Sequence, residues 1–378
     1  MAGRRSASGA PTFASVVDGT WQRHPSEGTD TAVSAGMEAD LEEQPAVLAR
    51  LLEDGRAAAE AAAAAARARG VSFAVMAARG SSDNAARYGQ YVLGARQGLT
   101  VALAAPSLFT RYGARPRMEA ALAIGLSQSG QSPDVVAVLA EARRQGAVTL
   151  AITNDPLSPL AATAAHVLPL GAGVERAVPA TKTYTAQLLA LAMLSAALGE
   201  DAGAWRELRA VPGRVARTLD DTRGAAREAA RALSTDRLLV LGRGYNLATA
   251  FEVALKVKEA CGVWADPYST ADFAHGPVAL AEAGLPVVVI AAGPVGGADA
   301  EESAARARER GARLIAISDR PALLAAADVA LGLPPDGPEW LSPVEAVVPG
   351  QLFTWFLAQA RGLSPDAPRG LSKVTLTR

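Results

Sequence analysis

Glu252, Lys256 and Glu259 stand at i, i+4 and i+7 of the segment Glu252-Val253-Ala254-Leu255-Lys256-Val257-Lys258-Glu259. If that segment is helical, the three charges share one face and Lys258 points elsewhere. A solvated stripe of salt bridges would give the same spacing. The intervening Val253, Ala254, Leu255 and Val257 leave little room for a wholly exposed helix, and charges on a partly buried helix need partners or a ligand. A carboxylate in a shielded pocket suits the transfer of a proton between adjacent carbons, as in aldose–ketose chemistry. His275, ahead of Gly276-Pro277, has an imidazole that can give and take a proton near neutrality; a capping or core role fits it equally.

A second group of residues suits an anion. The run Ser127-Gln128-Ser129-Gly130-Gln131-Ser132-Pro133 offers three hydroxyls and amide donors, with Gly130 letting backbone approach closely. Ser132 is a natural N-cap and Pro133 fits the first helical position, so unpaired N–H groups would face a ligand. A capped turn that binds nothing is the plainer alternative. The turn Gly80-Ser81-Ser82-Asp83, after a neighbouring strand, adds weight to the anion reading.

These segments need a scaffold, and the sequence supplies an alternation of strands and helices. Segments 71–77, 121–126 and 148–152 read as buried strands, with a helix from Pro133 to near Gly146. Such alternation implies a parallel sheet covered on both faces. The order recurs about 165 residues later. Strand and turn 237–244 echo the one ending at Gly80, and 310–318 echo 145–153. The separation of Gly80 from Gly146 matches that of Gly244 from Gly311 to within one residue. The second copy carries Ala291-Ala292-Gly293-Pro294-Val295-Gly296-Gly297 where the first has its serine loop, so only the first is equipped for an anion.

Residues 1–36 lack a sustained period and read as a disordered leader or an over-long start. A first domain then spans 37–200, a helical connector 201–234 and a second domain 235–378. Arg4 and Arg5 have no apolar run behind them, so no signal peptide is expected. The apolar stretch 187–198 is too short to span a bilayer and reads as a buried helix.

Composition sets limits on partners. With 37 basic and 38 acidic residues the formal net charge is −1, and no basic field points to nucleic acid or an anionic membrane. The one cysteine, Cys261, can form no internal disulfide, which fits a reducing cytoplasm. The three histidines, His24, His166 and His275, match no zinc spacing. No metal and no cofactor is expected.

The ordered set of motifs resembles the sugar isomerase (SIS) domain family. The motifs are Gly80-Ser81-Ser82, Ser127-Gln128-Ser129-Gly130, Thr181-Lys182-Thr183, Glu252 to Glu259, His275-Gly276-Pro277 and the tail Pro368-Arg369-Gly370-Leu371-Ser372-Lys373. More closely, they resemble the isomerase half of glucosamine-6-phosphate synthase and its stand-alone deaminase relatives, from about Glu43-Gln44-Pro45 onward. The resemblance implies an α/β fold of two tandem, doubly wound, flavodoxin-like parallel-sheet SIS domains. It implies that Ser127, Gln128, Ser129 and Ser132 grip a sugar phosphate, with Gly80, Ser81, Ser82 and backbone at Val178 and Ala180 lining the pocket. It assigns the proton shuttle to Glu259, with Lys256 near the sugar hydroxyls and Glu252 as the next candidate. Ring opening falls to His275, reaching into the neighbouring subunit of a homodimer. Lys373 would approach the sugar carbonyl, where a lysine of lowered pKa can form an imine.

Two departures from the synthase matter. Ala180 replaces a serine near the sugar, and Arg79 replaces a small residue before the Gly-Ser-Ser turn; both would admit a different substituent, charged or N-acylated. A synthase also needs a glutaminase domain with an N-terminal cysteine, whereas Cys261 lies inside the second copy. The leading expectation is therefore an isomerising deaminase converting glucosamine 6-phosphate to fructose 6-phosphate and ammonia. Alternatives are a lyase dehydrating N-acetylglucosamine 6-phosphate, a fructosamine-6-phosphate deglycase and a sugar-phosphate sensor without turnover.

Overall fold

A computed structural model describes residues 35–373 of the chain. His24 and nearly all of the expected leader lie outside them. The first elements are helices α1 (Ala35–Glu42), α2 (Gln44–Asp54) and α3 (Arg56–Arg69). Then follow β1 (Phe73–Ala77), α4 (Ser81–Gln97), β2 (Thr100–Leu103), α5 (Ser107–Thr110), β3 (Ala121–Ser127), α6 (Pro133–Arg144), β4 (Val148–Thr153), α7 (Pro159–Thr163) and β5 (His166–Pro169). Helices α8 (Lys182–Leu198), α9 (Ala202–Leu208) and α10 (Val211–Ala232) lead to β6 (Arg237–Gly242), α11 (Leu247–Cys261), β7 (Trp264–Ser269) and α12 (Thr270–Ala274). The chain continues through β8 (Pro286–Ala291), α13 (Val295–Glu309), β9 (Arg313–Ser318), α14 (Pro321–Ala326), β10 (Val329–Gly332) and α15 (Ser342–Ala360).

Both sheets are parallel. The first runs β2-β1-β3-β4-β5 and the second β10-β9-β8-β6-β7, the same topology repeated. Central strands such as β3, buried at every position, are made of near-continuous apolar residues, because a parallel sheet is covered on both faces. The reversal of strand order lies between β1 and β3 in one sheet and between β6 and β8 in the other. Doubly wound sheets open their ligand crevice at that point.

Helices α8 and α15 are apolar almost all round, and nearly every residue of each is buried. They lie in one core shared by both halves, with α10 and α11 packed on α15, and α3 and α4 on α8. Among the described residues no helix is long and apolar enough to cross a membrane.

The N-terminal helices are tied to α8 by a buried charge. Lys182, at the start of α8 and fully buried, places Nζ 2.9 Å from Asp40 Oδ1 and 2.6 Å from Glu43 Oε2. It also donates to the Val174 carbonyl at 2.6 Å. The hydrogen bond from Lys182, aided by Arg176, holds the Glu43 carboxyl below the usual carboxylate range. The Thr181-Lys182-Thr183 and Glu43-Gln44 motifs are thus one structural joint, with Gln44 Nε2 reaching Gln351 of α15 at 3.1 Å.

Substituting Lys182→Ala removes one of two cations from the buried Asp40, which keeps the Arg176 guanidinium and the Arg176 and Ala177 amides, so the loss should be roughly 1–3 kcal/mol. Urea unfolding should show a lowered midpoint, and the double variant Lys182→Ala/Asp40→Asn should recover part of the loss. An unchanged midpoint for the single variant would refute the joint.

Candidate active site

β3 ends at Ser127, and the chain turns sharply before α6. Ser127 Oγ accepts from the Gly130 amide at 3.0 Å, and Ser129 Oγ from the Gln131 amide at 3.3 Å. The Gln128 carbonyl accepts from the Asn154 amide at 3.1 Å, and the Gly130 carbonyl from the Leu160 amide at 3.1 Å. Gly130 is required twice over. Its φ is +63°, and a Cβ there would stand 2.0 Å from Ser158 Oγ. Ser132 occupies the N-cap position of α6 in an extended conformation, as expected. Its hydroxyl makes no capping bond and lines a cavity instead.

That cavity, about 350 Å³, has the serine loop as one wall. Gly80, with φ of +56° and ψ of −130°, lets β1 turn directly into α4, which presents Ser81 and Ser82 to the same space. Ser82 is fixed from behind, its Oγ accepting from Gln187 Nε2 of α8 at 2.9 Å. Val178 and Ala180 close another side.

The opposite wall comes from the second half of the chain. α11 is a helix over the expected segment, and its charged face is buried: Glu252 is 0 % and Lys256 1 % exposed. This excludes the solvated stripe. Lys256 Nζ lies 2.5 Å from Glu259 Oε2 and 3.6 Å from Glu252 Oε1. Burial works to lower the Lys256 pKa, but Glu252, Glu259 and Glu175 outweigh it and hold the ammonium above the ordinary lysine range. Burial pushes the Glu252 carboxyl up, against the pull of Lys256 and of Asn84, whose Nδ2 donates to Glu252 Oε2 at 2.8 Å. Lys256 and Glu259 line the cavity, whereas Glu252 sits behind them and does not. Lys258 is exposed on the far side, as its position in the helix requires.

The C-terminal tail completes the enclosure with Leu371, Ser372 and Lys373. The Lys373 ammonium donates to the Ala177 carbonyl and lies 3.5 Å from Glu175 Oε2. Glu175 gave no signal in the sequence, being a lone acid in a loop. Its buried carboxylate accepts from the Thr181 amide at 2.6 Å and the Thr183 amide at 3.2 Å, organising the segment that carries Val178 and Ala180. Asn84 likewise gives no signal in the sequence beyond its position three residues after Ser81 on α4.

His275 is exposed and lies outside this cavity. Cys261 is buried, its thiol pushed up to about 12 by burial, and it hydrogen-bonds the Thr354 carbonyl. Among the described residues no cluster of three or more His, Cys, Asp or Glu could hold a metal ion.

The loop after β8 corresponds to the serine loop but is filled from within. Glu339 accepts from the Val295 amide at 3.0 Å and the Gly296 amide at 2.8 Å, and Asp319 from the Gly293 amide at 3.2 Å. Internal carboxylates there satisfy the donors at the start of α13.

The SIS domain family model matches this chain twice, over residues 72–197 and 233–336, which enclose the two sheets. The chain belongs to the SIS domain family. A glutamine–fructose-6-phosphate aminotransferase (isomerizing) of Gloeobacter violaceus is 37% identical over 309 residues, covering 78% of this chain and 50% of the relative. The chain thus spans about half the length of the curated relatives it matches. A crystal structure from Silicibacter pomeroyi, provisionally called a phosphosugar isomerase, superposes with a TM-score of 0.80 at 37% identity, covering 87% of this chain and 99% of that one. The C-terminal domain of glucosamine-fructose-6-phosphate aminotransferase from Francisella tularensis shares the fold, with a TM-score of 0.79 at 23% identity, covering 90% of this chain and 100% of that one.

In this SIS chain the serine loop depends on Gly130. Gly130→Ala should destabilise the protein by roughly 1–3 kcal/mol in urea titration, through backbone strain and the clash with Ser158. Amide exchange at residues 130 and 131 should quicken. Wild-type stability and exchange would mean that the loop tolerates a side chain there.

Proposed function

We propose that the chain is an isomerising deaminase that converts glucosamine 6-phosphate, or a close isomer, to fructose 6-phosphate and ammonia. The observation that carries this reading is a single cavity walled by the Ser127–Ser132 loop on one side and by Glu259, Lys256 and Lys373 elsewhere. The first wall suits a phosphate, because three serines gather at the N-terminus of α6. The second would set a carboxylate and two ammonium groups around the sugar carbons. Relatives named as isomerizing aminotransferases act on fructose 6-phosphate by their printed names, which supports the substrate class.

In this mechanism Glu259 takes the proton from C2 of the open-chain sugar and delivers it to C1. The C1 oxygen gains a proton as the C2 amine loses one, so an aldehyde with a C2 amine becomes an alcohol with a C2 imine. Water adds to the imine, and ammonia leaves. Lys256 holds Glu259 in place and balances the charge developing on the sugar oxygens. Lys373 lies at the tail end of the same space to meet the carbonyl. In a homodimer His275, exposed on its own chain, would reach the partner's cavity and open the ring.

The test is incubation of the purified protein with a panel of amino-sugar and ketose phosphates, with products read by mass spectrometry. Ammonia and fructose 6-phosphate are expected. Loss of water to an unsaturated sugar, release of an amino acid, or binding without turnover would each replace the deaminase by another reaction or by a sensor. Glu259→Gln keeps the shape and removes the base, so turnover should fall at least about a hundred-fold. Deuterium from solvent should then no longer enter C1, while substrate affinity stays within a few-fold. Near-normal turnover and exchange in that variant would remove Glu259 from the role.

A further inference from the structure

Arg79 leaves the end of β1 and crosses to the first turn of α6. Its Nε and Nη2 both lie 2.7 Å from Asp134 Oδ2. The two partners sit in different surroundings: the Asp134 side chain is 1% exposed and that of Arg79 49%. Asp134 Oδ1 accepts from the Val135 amide at 2.9 Å, which fixes the carboxylate on α6. A guanidinium carries five N–H donors. Asp134 takes two, and the other three have no hydrogen-bond acceptor among the described residues. Arg79 also lines the cavity, together with Ser129 and Ser132.

We propose that Arg79 belongs to the phosphate grip, held by Asp134 so that its remaining N–H donors meet the phosphate seated in the Ser127–Ser132 loop. This rests on the sugar-phosphate reading of the cavity. Asp134 lies two residues past Ser132, so an anion at the start of α6 meets a buried carboxylate in the same helical turn. Arg79 neutralises that carboxylate and offers planar donors suited to phosphate oxygens. The sequence-based expectation that Arg79 admits a different sugar substituent is replaced by one in which it works on the phosphate. Its anchor is the helix that follows the serine loop, not α11. Ala180 is left as the position where a changed substituent would be accommodated.

Calorimetric titration of the full chain with inorganic phosphate, the sugar 6-phosphate that the product panel identifies, and the same sugar without phosphate tests this. Arg79→Gln should weaken both phosphate-bearing ligands about ten- to a hundred-fold, the loss of a charge-assisted hydrogen bond. Arg79→Lys, which keeps the charge but not the fork, should fall in between, and the unphosphorylated sugar should bind all variants alike. The double variant Arg79→Gln/Asp134→Asn, with no carboxylate left to repel phosphate, should recover only part of the loss. Full recovery would reduce Arg79 to a counter-ion for Asp134 and overturn the contact. Unchanged affinity, or a loss confined to the sugar 6-phosphate with inorganic phosphate unaffected, would also overturn it. A wild-type chain that binds no sugar phosphate at all would sink the functional reading itself, a result distinct from these.

Discussion

Lys256 is charged at 1% side-chain exposure, and the arrangement of the cavity follows from how the fold satisfies that charge. An ammonium taken out of water is costly unless carboxylates and hydrogen bonds replace the solvent. Its own helix supplies Glu252 and Glu259. Glu252 is buried in turn and takes a donor from Asn84 on α4, in the other half of the chain. Satisfying one charge on α11 therefore ties α11 to α4, the helix that begins with Ser81 and Ser82. The serine turn and the Glu259 face are held against one another by the same chain of contacts.

The joint at Lys182 works by the same rule at the edge of the first sheet. There a buried ammonium gathers Asp40, Glu43 and the Val174 carbonyl, and the segment between Val174 and Lys182 is fixed as a result. Glu175 takes the threonine amides on either side of Lys182 and also approaches Lys373. Ordered backbone around Val178 and Ala180, and the closing of the tail over the cavity, depend on these two carboxylate–ammonium groups.

The two copies of the fold show one helix-start motif used in two ways. In the first, Ser127, Ser129 and Ser132 of the loop line a cavity. In the second, Glu339 and Asp319 occupy the equivalent donors, and Gly293 leaves no room for more: a Cβ there would stand 2.4 Å from Glu339 Cγ. Duplication supplied two crevices, and internal carboxylates closed one. The shared core of α8, α10, α11 and α15 then fixes the open crevice of the first copy beside the charged face of the second.

The central strands β1, β3, β4, β6 and β9, the serine loop and the charged face of α11 are legible in the residues, because each is a local pattern: apolar runs covered on both sides, hydroxyls before Pro133, and charges at helical spacing. The edge strands β2, β5, β7 and β10 are harder to read from the residues. They have one strand neighbour each and carry short, half-exposed patterns such as Thr100-Val101-Ala102-Leu103. Family motifs single out Lys182 and Glu252, and the departure from the synthase pattern singles out Arg79, without saying what they touch. From the residues alone come a duplicated α/β fold, a hydroxyl-rich loop in one copy only, and a charged helix face 120 residues further on. The tertiary structure puts Glu252 behind the cavity, lets Glu175 hold the Thr181 and Thr183 amides, leaves His275 outside the cavity and pairs Arg79 with Asp134. Periodicity reports which face a residue is on, whereas partnership across hundreds of residues depends on which faces the core brings together.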